Sequence, residues 1–194
     1  AKQRGLRVFT VGENGKDINL IARTPSPLGQ ELKFVHAGRA HAIRLPLIGA
    51  YQVANALVSA GLALATGTDA SQVFDAVSRL QPVRGRLERA VISSRGAPVY
   101  VDYAHTPDAL ANALAALRPH VAGELICVFG CGGDRDAGKR PEMAREAEKL
   151  ADRVVVTDDN PRSEDPWAIA KDILAGFSDA AQVSVIHDRA EAIQ

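Results

Sequence analysis

Hydrophobic and polar positions recur along this chain with a spacing that changes twice. Up to residue 45 the spacing is that of extended chain. LRVFTV (6–11), INLIAR (18–23), ELKFVH (31–36) and the run 42–45 are apolar-rich, as half-buried strands require. The first two flank GENGK, where Asn14-Gly15 is a hairpin signal. Together these runs predict a small antiparallel β-meander. Residues 51–66 instead carry apolar side chains at helical spacing, and Gly67 is placed to end that helix. Residues 71–80 predict a second helix, with Asp69 or Ser71 as its N-cap. Gln81-Pro82-Val83-Arg84-Gly85 interrupts both periods and reads as a linker.

Beyond the linker, strands and helices alternate. Residues 87–92 and 99–102 are strand-like. Residues 106–117 predict a helix, with Thr106 as N-cap and Pro107 at the first helical position. LICVFG (125–130) is a short apolar run, which predicts a strand buried on both faces. A helix at 141–150, a strand at 154–157, a helix at 166–176 and a strand at 183–186 follow, and 188–194 begins a further helix. Such alternation implies a mostly parallel sheet with helices on its faces. The predicted class is α/β: a Rossmann-like sheet with flanking helices, preceded by the β-meander and two helices.

Composition narrows the function classes. The 194 residues carry 23 Lys+Arg against 23 Asp+Glu, a formal net charge of zero. A nucleic-acid-binding module would show a basic excess, so no nucleic-acid partner is expected. At 46 % hydrophobic and 24 % charged, the chain is globular in composition. No apolar run approaches the ~20 residues needed to span a bilayer, and AKQRGLRVFT has no signal-peptide character. A cytoplasmic, monomeric protein with no membrane insertion is expected. Cys127 and Cys131 are too few for a disulfide framework and are expected as reduced thiols, one of them in a strand.

In a sheet of this kind ligands bind beyond the carboxyl ends of the strands. Three polar clusters fall there: DYAHTP (102–107), GCGGDRDAGKRP (130–141) and DDNPR (158–162). Asp102 can accept hydrogen bonds from sugar hydroxyls, or simply cap the next turn. His105 can donate to a phosphate from one ring nitrogen. Residues 133–140 read G-x-x-x-x-G-K-R, and Arg140 stands where a nucleotide P-loop needs Ser or Thr. A flexible glycine-rich backbone with Arg135, Lys139 and Arg140 still suits a carboxylate or phosphate. Arg162 offers a planar fork for a carboxylate, stiffened by Pro161, or pairs at the surface with Asp159 or Glu164. GENGKD (12–17) looks like a phosphate loop at a glance, but Thr10 stands in place of the first glycine and Asp17 in place of Ser or Thr.

VDYAHTPDAL, VFGCGGDRDAGKRP and DDNPRSEDP, in that order, resemble the C-terminal part of the Mur ligase family. LPLIGAYQVANALVSAGLALATG resembles the last helical section of that family's central ATPase domain, and RGRLE the junction that follows. The resemblance implies a boundary: residues 1–82 as the end of the central domain, 83–194 as most of the C-terminal domain. It also implies a piece of a longer chain, with the P-loop and the carboxylated-lysine region that binds Mg²⁺ before Ala1 and a GKGHE segment after Gln194. On that basis no ligase activity is expected of the 194 residues alone. The implied reaction is ATP-dependent. Meso-2,6-diaminopimelate is added to the D-Glu carboxylate of UDP-N-acetylmuramoyl-L-Ala-D-Glu through an acyl phosphate, in peptidoglycan precursor synthesis.

The same resemblance assigns roles. Asn55 matches the family asparagine near the adenine, while Gln52 stands where the family often has Asn. Arg86, Asp102 and His105 match positions that approach the nucleotide. Arg135 matches the arginine that contacts the incoming amino acid. Asp159, Asn160, Pro161 and Arg162 match the segment that recognises diaminopimelate. No catalytic nucleophile and no metal ligand fall in this stretch. A lysine-adding or folylpolyglutamate-synthase-like ligase, and a non-catalytic amino-acid-binding relative, are the alternatives.

Overall fold

The computed structural model describes residues 4–194. The chain divides into two compact units, Ala1–Asp102 and Tyr103–Gln194. The first contains β1 (Val11–Gly12), β2 (Ile18–Ser26), β3 (Gly29–His36) and β4 (Arg39–Leu45) in one sheet of that order. Strands β2, β3 and β4 are antiparallel, with Ile18 opposite His36 and Gln30 opposite Leu45. On β3 the period of two is plain: Leu32 and Phe34 are buried, whereas Glu31 and Lys33 are exposed. Helices α1 (Ala50–Ala65) and α2 (Ala70–Val77) close over the inward face. Val53, Ala56, Leu57 and Phe74 join Ile18, Leu32, Phe34 and Leu45 in one core. Phe74 meets Phe34 edge-on at 4.8 Å, a favourable aromatic geometry. Asp69 caps α2, accepting from the Ser71 amide at 2.8 Å.

The expected hairpin at Asn14-Gly15 does not form. A turn does close there, with the Gly15 amide donating to the Gly12 carbonyl at 2.9 Å. Asp17 then reverses the chain again, its carboxylate accepting from the Thr10 amide (2.7 Å) and hydroxyl (3.1 Å). Two reversals leave β1 parallel to β2, with Val11 opposite Ile18. The strand expected at 6–11 shrinks to Val11–Gly12. Gly15 serves close approach here, since a Cβ on it would strike the Ile18 carbonyl oxygen.

One buried amide fixes the entry to α1. Gln30, fully buried, donates from Nε2 to the carbonyls of Leu47 and Gly49, both at 2.9 Å, and its Oε1 accepts from Arg23 at 3.0 Å. The sheet thus sets where the first turn of α1 begins. The unit ends in an antiparallel pair, β5 (Glu88–Ile92) and β6 (Pro98–Val101). The Tyr100 hydroxyl donates to the Pro27 carbonyl at 2.9 Å.

The second unit alternates as expected: α3 (Pro107–Leu117), β7 (Ile126–Phe129), α4 (Lys139–Leu150), β8 (Arg153–Val156), α5 (Pro166–Leu174), β9 (Ser184–Val185) and α6 (Arg189–Ile193). The three strands are parallel in the order β7-β8-β9, with Phe129 opposite Val156. Thr106 and Asp165 cap α3 and α5, each followed by Pro at the first helical position. Leu110, Leu114, Cys127, Phe129, Met143, Val156, Ile169 and Ile173 make the core. Ala144 and Ala147 on α4 are fully buried.

Two details differ from expectation. Helix α4 starts at Lys139 rather than Pro141, since proline is tolerated in a first turn. Strand β7 is buried on one face only: Cys127 and Phe129 face the core, but Ile126 is 50 % exposed and Val128 38 %. Ile173 has no exposed surface. Replacing it by alanine is expected to lower unfolding free energy by roughly 2–5 kcal/mol in urea titrations. Burial pushes the Cys127 thiol up to about 12. Iodoacetamide at pH 8 is therefore expected to spare Cys127 in the folded chain and modify it in urea. Equal native and denatured rates would contradict this.

Candidate functional site

The carboxyl ends of β7 and β8 open onto two loops, 130–138 and 157–165, and these loops are fastened to each other. The Gly133 amide donates to the Asn160 carbonyl at 2.8 Å. Asp134 accepts from the Ser163 hydroxyl (2.6 Å) and amide (3.2 Å). The Asp134 amide in turn donates to Glu164 at 2.5 Å. A Cβ at Gly130 would strike the Thr157 carbonyl, and one at Gly133 the Pro161 carbonyl. The glycines expected to make a flexible cradle instead let one backbone lie against another. Both fastened residues, Asp134 and Arg162, adopt positive φ (53° each).

Arg162 carries the clearest chemistry. Its Nη1 donates to the carbonyls of Gly133 (2.6 Å) and Asn160 (3.3 Å). Neither acidic partner considered from the sequence pairs with it: Asp159 meets Arg189 at 3.3 Å, and Glu164 meets Arg140. Its other donors have no protein partner among the described residues. Arg135 is exposed and makes no hydrogen bond or ion pair among the described residues. The two guanidiniums lie near one carboxylate. Hydrogen bonds from the Ser163 hydroxyl and amide hold Asp134 below the usual carboxylate range, and the charges of Arg162 and Arg135 add to that. Asn160 contributes mainly backbone, while its amide reaches Asp159 at 3.5 Å.

The cationic patch expected of Arg135, Lys139, Arg140 and Arg162 is only partly formed. Arg140 is 2 % exposed and paired internally. It meets Glu164 at 2.8 Å and Asp172 at 2.9 Å, and Nη2 donates to the Gly132 carbonyl at 3.4 Å. Two carboxylates neutralise it, so it cannot meet a ligand. Lys139 donates from Nζ to the His105 carbonyl at 2.8 Å and so ties the 103–106 segment to the start of α4. His105 Nδ1 lies 2.9 Å from the Tyr103 carbonyl. A carbonyl only accepts, so Nδ1 carries the proton and Nε2 is an acceptor in the neutral ring. Donation to a phosphate then requires the imidazolium.

In the first unit, the Asp102 carboxylate accepts from the Leu87 amide at 2.8 Å. Tyr51, in the first turn of α1, lies close to it. Burial pushes the Tyr51 hydroxyl up, the Asp102 charge adds to this, and the Arg86 charge opposes it. Asn55 lies one turn further along α1, exposed, with its amide 3.4 Å from Gln52. Tyr51, Arg86 and Asp102 therefore cluster, with Asn55 on the same helix.

Several residues of the second-unit site carried no signal in the sequence. Arg189 donates to the Asp158 carbonyl at 3.0 and 3.2 Å. His187 Nδ1 meets Asp158 at 2.7 Å, and its ring lies 4.1 Å from that of Trp167. These contacts join positions about twenty to thirty apart in the chain, beyond the reach of any local pattern.

The family described as Mur ligase, glutamate ligase domain, matches residues 85–194, more than half of the sequence. The chain belongs to the Mur ligase family. Among relatives of known name, a UDP-N-acetylmuramoyl-L-alanyl-D-glutamate–2,6-diaminopimelate ligase of Zymomonas mobilis is 54 % identical over 182 residues. That match covers 94 % of this chain and 37 % of the relative. The Caulobacter vibrioides ligase of the same name is 50 % identical over 190 residues, covering 98 % and 38 %. This Mur ligase chain thus spans under two fifths of the length of either relative. A solved structure of a ligase with that name matches at a TM-score of 0.76 and 37 % identity, over 96 % of this chain and 39 % of that one. Mycobacterium tuberculosis folylpolyglutamate synthase complexed with ADP matches at 0.66 and 26 % identity, over 92 % and 39 %. Among the described residues no helix is long and apolar enough to cross a membrane.

Proposed function

We propose that this chain is part of an ATP-dependent ligase that adds meso-2,6-diaminopimelate to the D-Glu carboxylate of UDP-N-acetylmuramoyl-L-Ala-D-Glu. Arg162 is the observation that carries the substrate reading. Backbone carbonyls hold one edge of its guanidinium, and its other donors have no protein partner among the described residues. Meso-diaminopimelate has a distal carboxylate beside its distal ammonium, whereas lysine has the ammonium alone. A pre-positioned guanidinium rewards that carboxylate with a charge-assisted, fork-shaped contact. It offers lysine only a like charge. Arg135 stands near as a second cation for the amino acid's other carboxylate, and Asp159, Asn160 and Pro161 shape the turn that presents Arg162. The names of the Zymomonas and Caulobacter relatives support the same substrate.

The nucleotide falls to other residues. A nucleoside needs an apolar face for its base and polar groups for its edge and sugar, and Tyr51, Asn55, Arg86 and Asp102 supply those kinds of group. His105 is proposed separately as a phosphate contact, as the family resemblance implies. ATP, when bound, supplies the phosphoryl group that activates the acceptor carboxylate. Among the described residues no three of His, Cys, Asp and Glu converge to hold a metal ion. We keep the functional boundary between central and C-terminal domains at residues 82–83 as a proposal that rests on the resemblance of RGRLE to the family's junction.

The test is amino-acid-dependent phosphate release by a full-length ligase carrying this segment, with diaminopimelate, lysine and glutamate as competing donors. Diaminopimelate is expected to be preferred by at least 100-fold in kcat/KM. Equal use of lysine, or a preference for glutamate, would overturn the assignment.

A further inference from the structure

We propose that Arg140 is a positioning residue that holds the 159–162 turn in its recognising shape by way of Glu164. The proposal rests on reading that turn as the amino-acid site. Arg140 sits on the first turn of α4, and its guanidinium has three destinations. One is Asp172, on the body of α5 and remote in sequence from the turn. Another is the Gly132 carbonyl, in the loop after β7. The third is Glu164, in the loop after β8.

Glu164 leads directly to the turn. Its amide donates to the Pro161 carbonyl at 3.0 Å. Its carboxylate accepts from the Asp134 amide, and Asp134 in turn holds Ser163, the residue after Arg162. Gly133, immediately before Asp134, provides the carbonyl that anchors Arg162. A buried cation at 2 % exposure has no low-cost way to leave its carboxylates. Arg140 therefore fixes Glu164, and Glu164 fixes both loops on either side of Arg162. Arg140 touches no ligand in this arrangement.

The two acidic partners provide the test, because only one leads to the turn. Glu164→Gln weakens the link to the loops. Asp172→Asn weakens the other ion pair of the same buried guanidinium without touching them. Trypsin cleavage after Arg162 in the 194-residue chain reads the turn directly. It is expected to accelerate at least fivefold in Glu164→Gln and to stay within twofold in Asp172→Asn, under conditions where both are folded. In the full-length ligase, Glu164→Gln is expected to raise KM for diaminopimelate at least fivefold with KM for ATP unchanged, and Asp172→Asn to leave both unchanged. Equal behaviour of the two variants in cleavage and in KM would overturn the proposal, since it would reduce Arg140 to a general stabiliser. If the cleavage difference holds but the unaltered ligase prefers lysine, the positioning role stands and the diaminopimelate reading fails. Arg140→Lys, which keeps the charge but loses the fork, is expected to behave as Glu164→Gln.

Discussion

Replacing Arg162 by methionine in a full-length ligase carrying this segment is expected to cut kcat/KM for diaminopimelate by roughly 30- to several-thousand-fold. Removing one member of a hydrogen-bonded charge pair between protein and ligand costs about 2–5 kcal/mol, and that range converts directly into the fold-change. Arg162→Lys should recover little of the loss, because an ammonium cannot hold two backbone carbonyls and still present a planar fork to a carboxylate. Turnover with lysine as donor, however slow, should fall far less than turnover with diaminopimelate. Steady-state kinetics with both amino acids checks this. An equal fall for both would mean that Arg162 supports the loops and does not select the substrate.

A Gly133→Ala substitution is the second large effect. The added methyl would occupy the space of the Pro161 carbonyl, with the Pro161 carbonyl carbon 2.7 Å away. Those neighbours are backbone atoms and cannot rotate aside. The two loops must therefore separate, which breaks the bond from the Gly133 amide to Asn160 and displaces the anchor of Arg162. Overpacking of this kind costs about 1–3 kcal/mol. Thermal melts of the 194-residue chain should show the loss of stability. The full-length ligase should lose diaminopimelate selectivity as well, approaching the Arg162→Met phenotype. By contrast, alanine at Gly123 meets nothing within 4 Å and should be close to neutral.

Much of the fold was legible because it rests on local signals. Thr106-Pro107 marked the start of α3 within one residue, the helix expected from 166 does begin at Pro166, and the apolar runs at 125–130 and 154–157 located β7 and β8. What escaped depends on partners distant in the chain. Asn14-Gly15 does make a turn, but Asp17 captures Thr10 and reverses the chain again, so the hairpin pattern misleads. LICVFG reads as buried on both faces, yet Ile126 and Val128 are not covered.

The site shows the same division. Clusters at the strand ends pointed to Arg135 and to 159–162, and the structure brings those two loops together. The individual duties of the charged side chains were not legible. Arg140 sits among Lys139, Arg135 and Arg162 in sequence, and only burial shows that Glu164 and Asp172 neutralise it. Glycines 130 and 133 suggested flexibility, whereas their lack of a side chain serves tight backbone contact. His187 and Arg189 meet Asp158 from about thirty residues away in the chain, Trp167 lies against the His187 ring, and no spacing announces them.

Arg162 adopts φ 53°, a conformation that costs a side-chain-bearing residue roughly 1–2 kcal/mol and glycine almost none. A redesign guided by thermal tolerance alone would therefore favour glycine or asparagine at this position. On the proposed reading of Arg162, it would yield a hardier protein that had lost its means of telling one amino acid from another. On that reading the backbone strain at Arg162 is a running cost of discrimination, and any consensus or stability-ranked library built on this scaffold should hold residue 162 fixed.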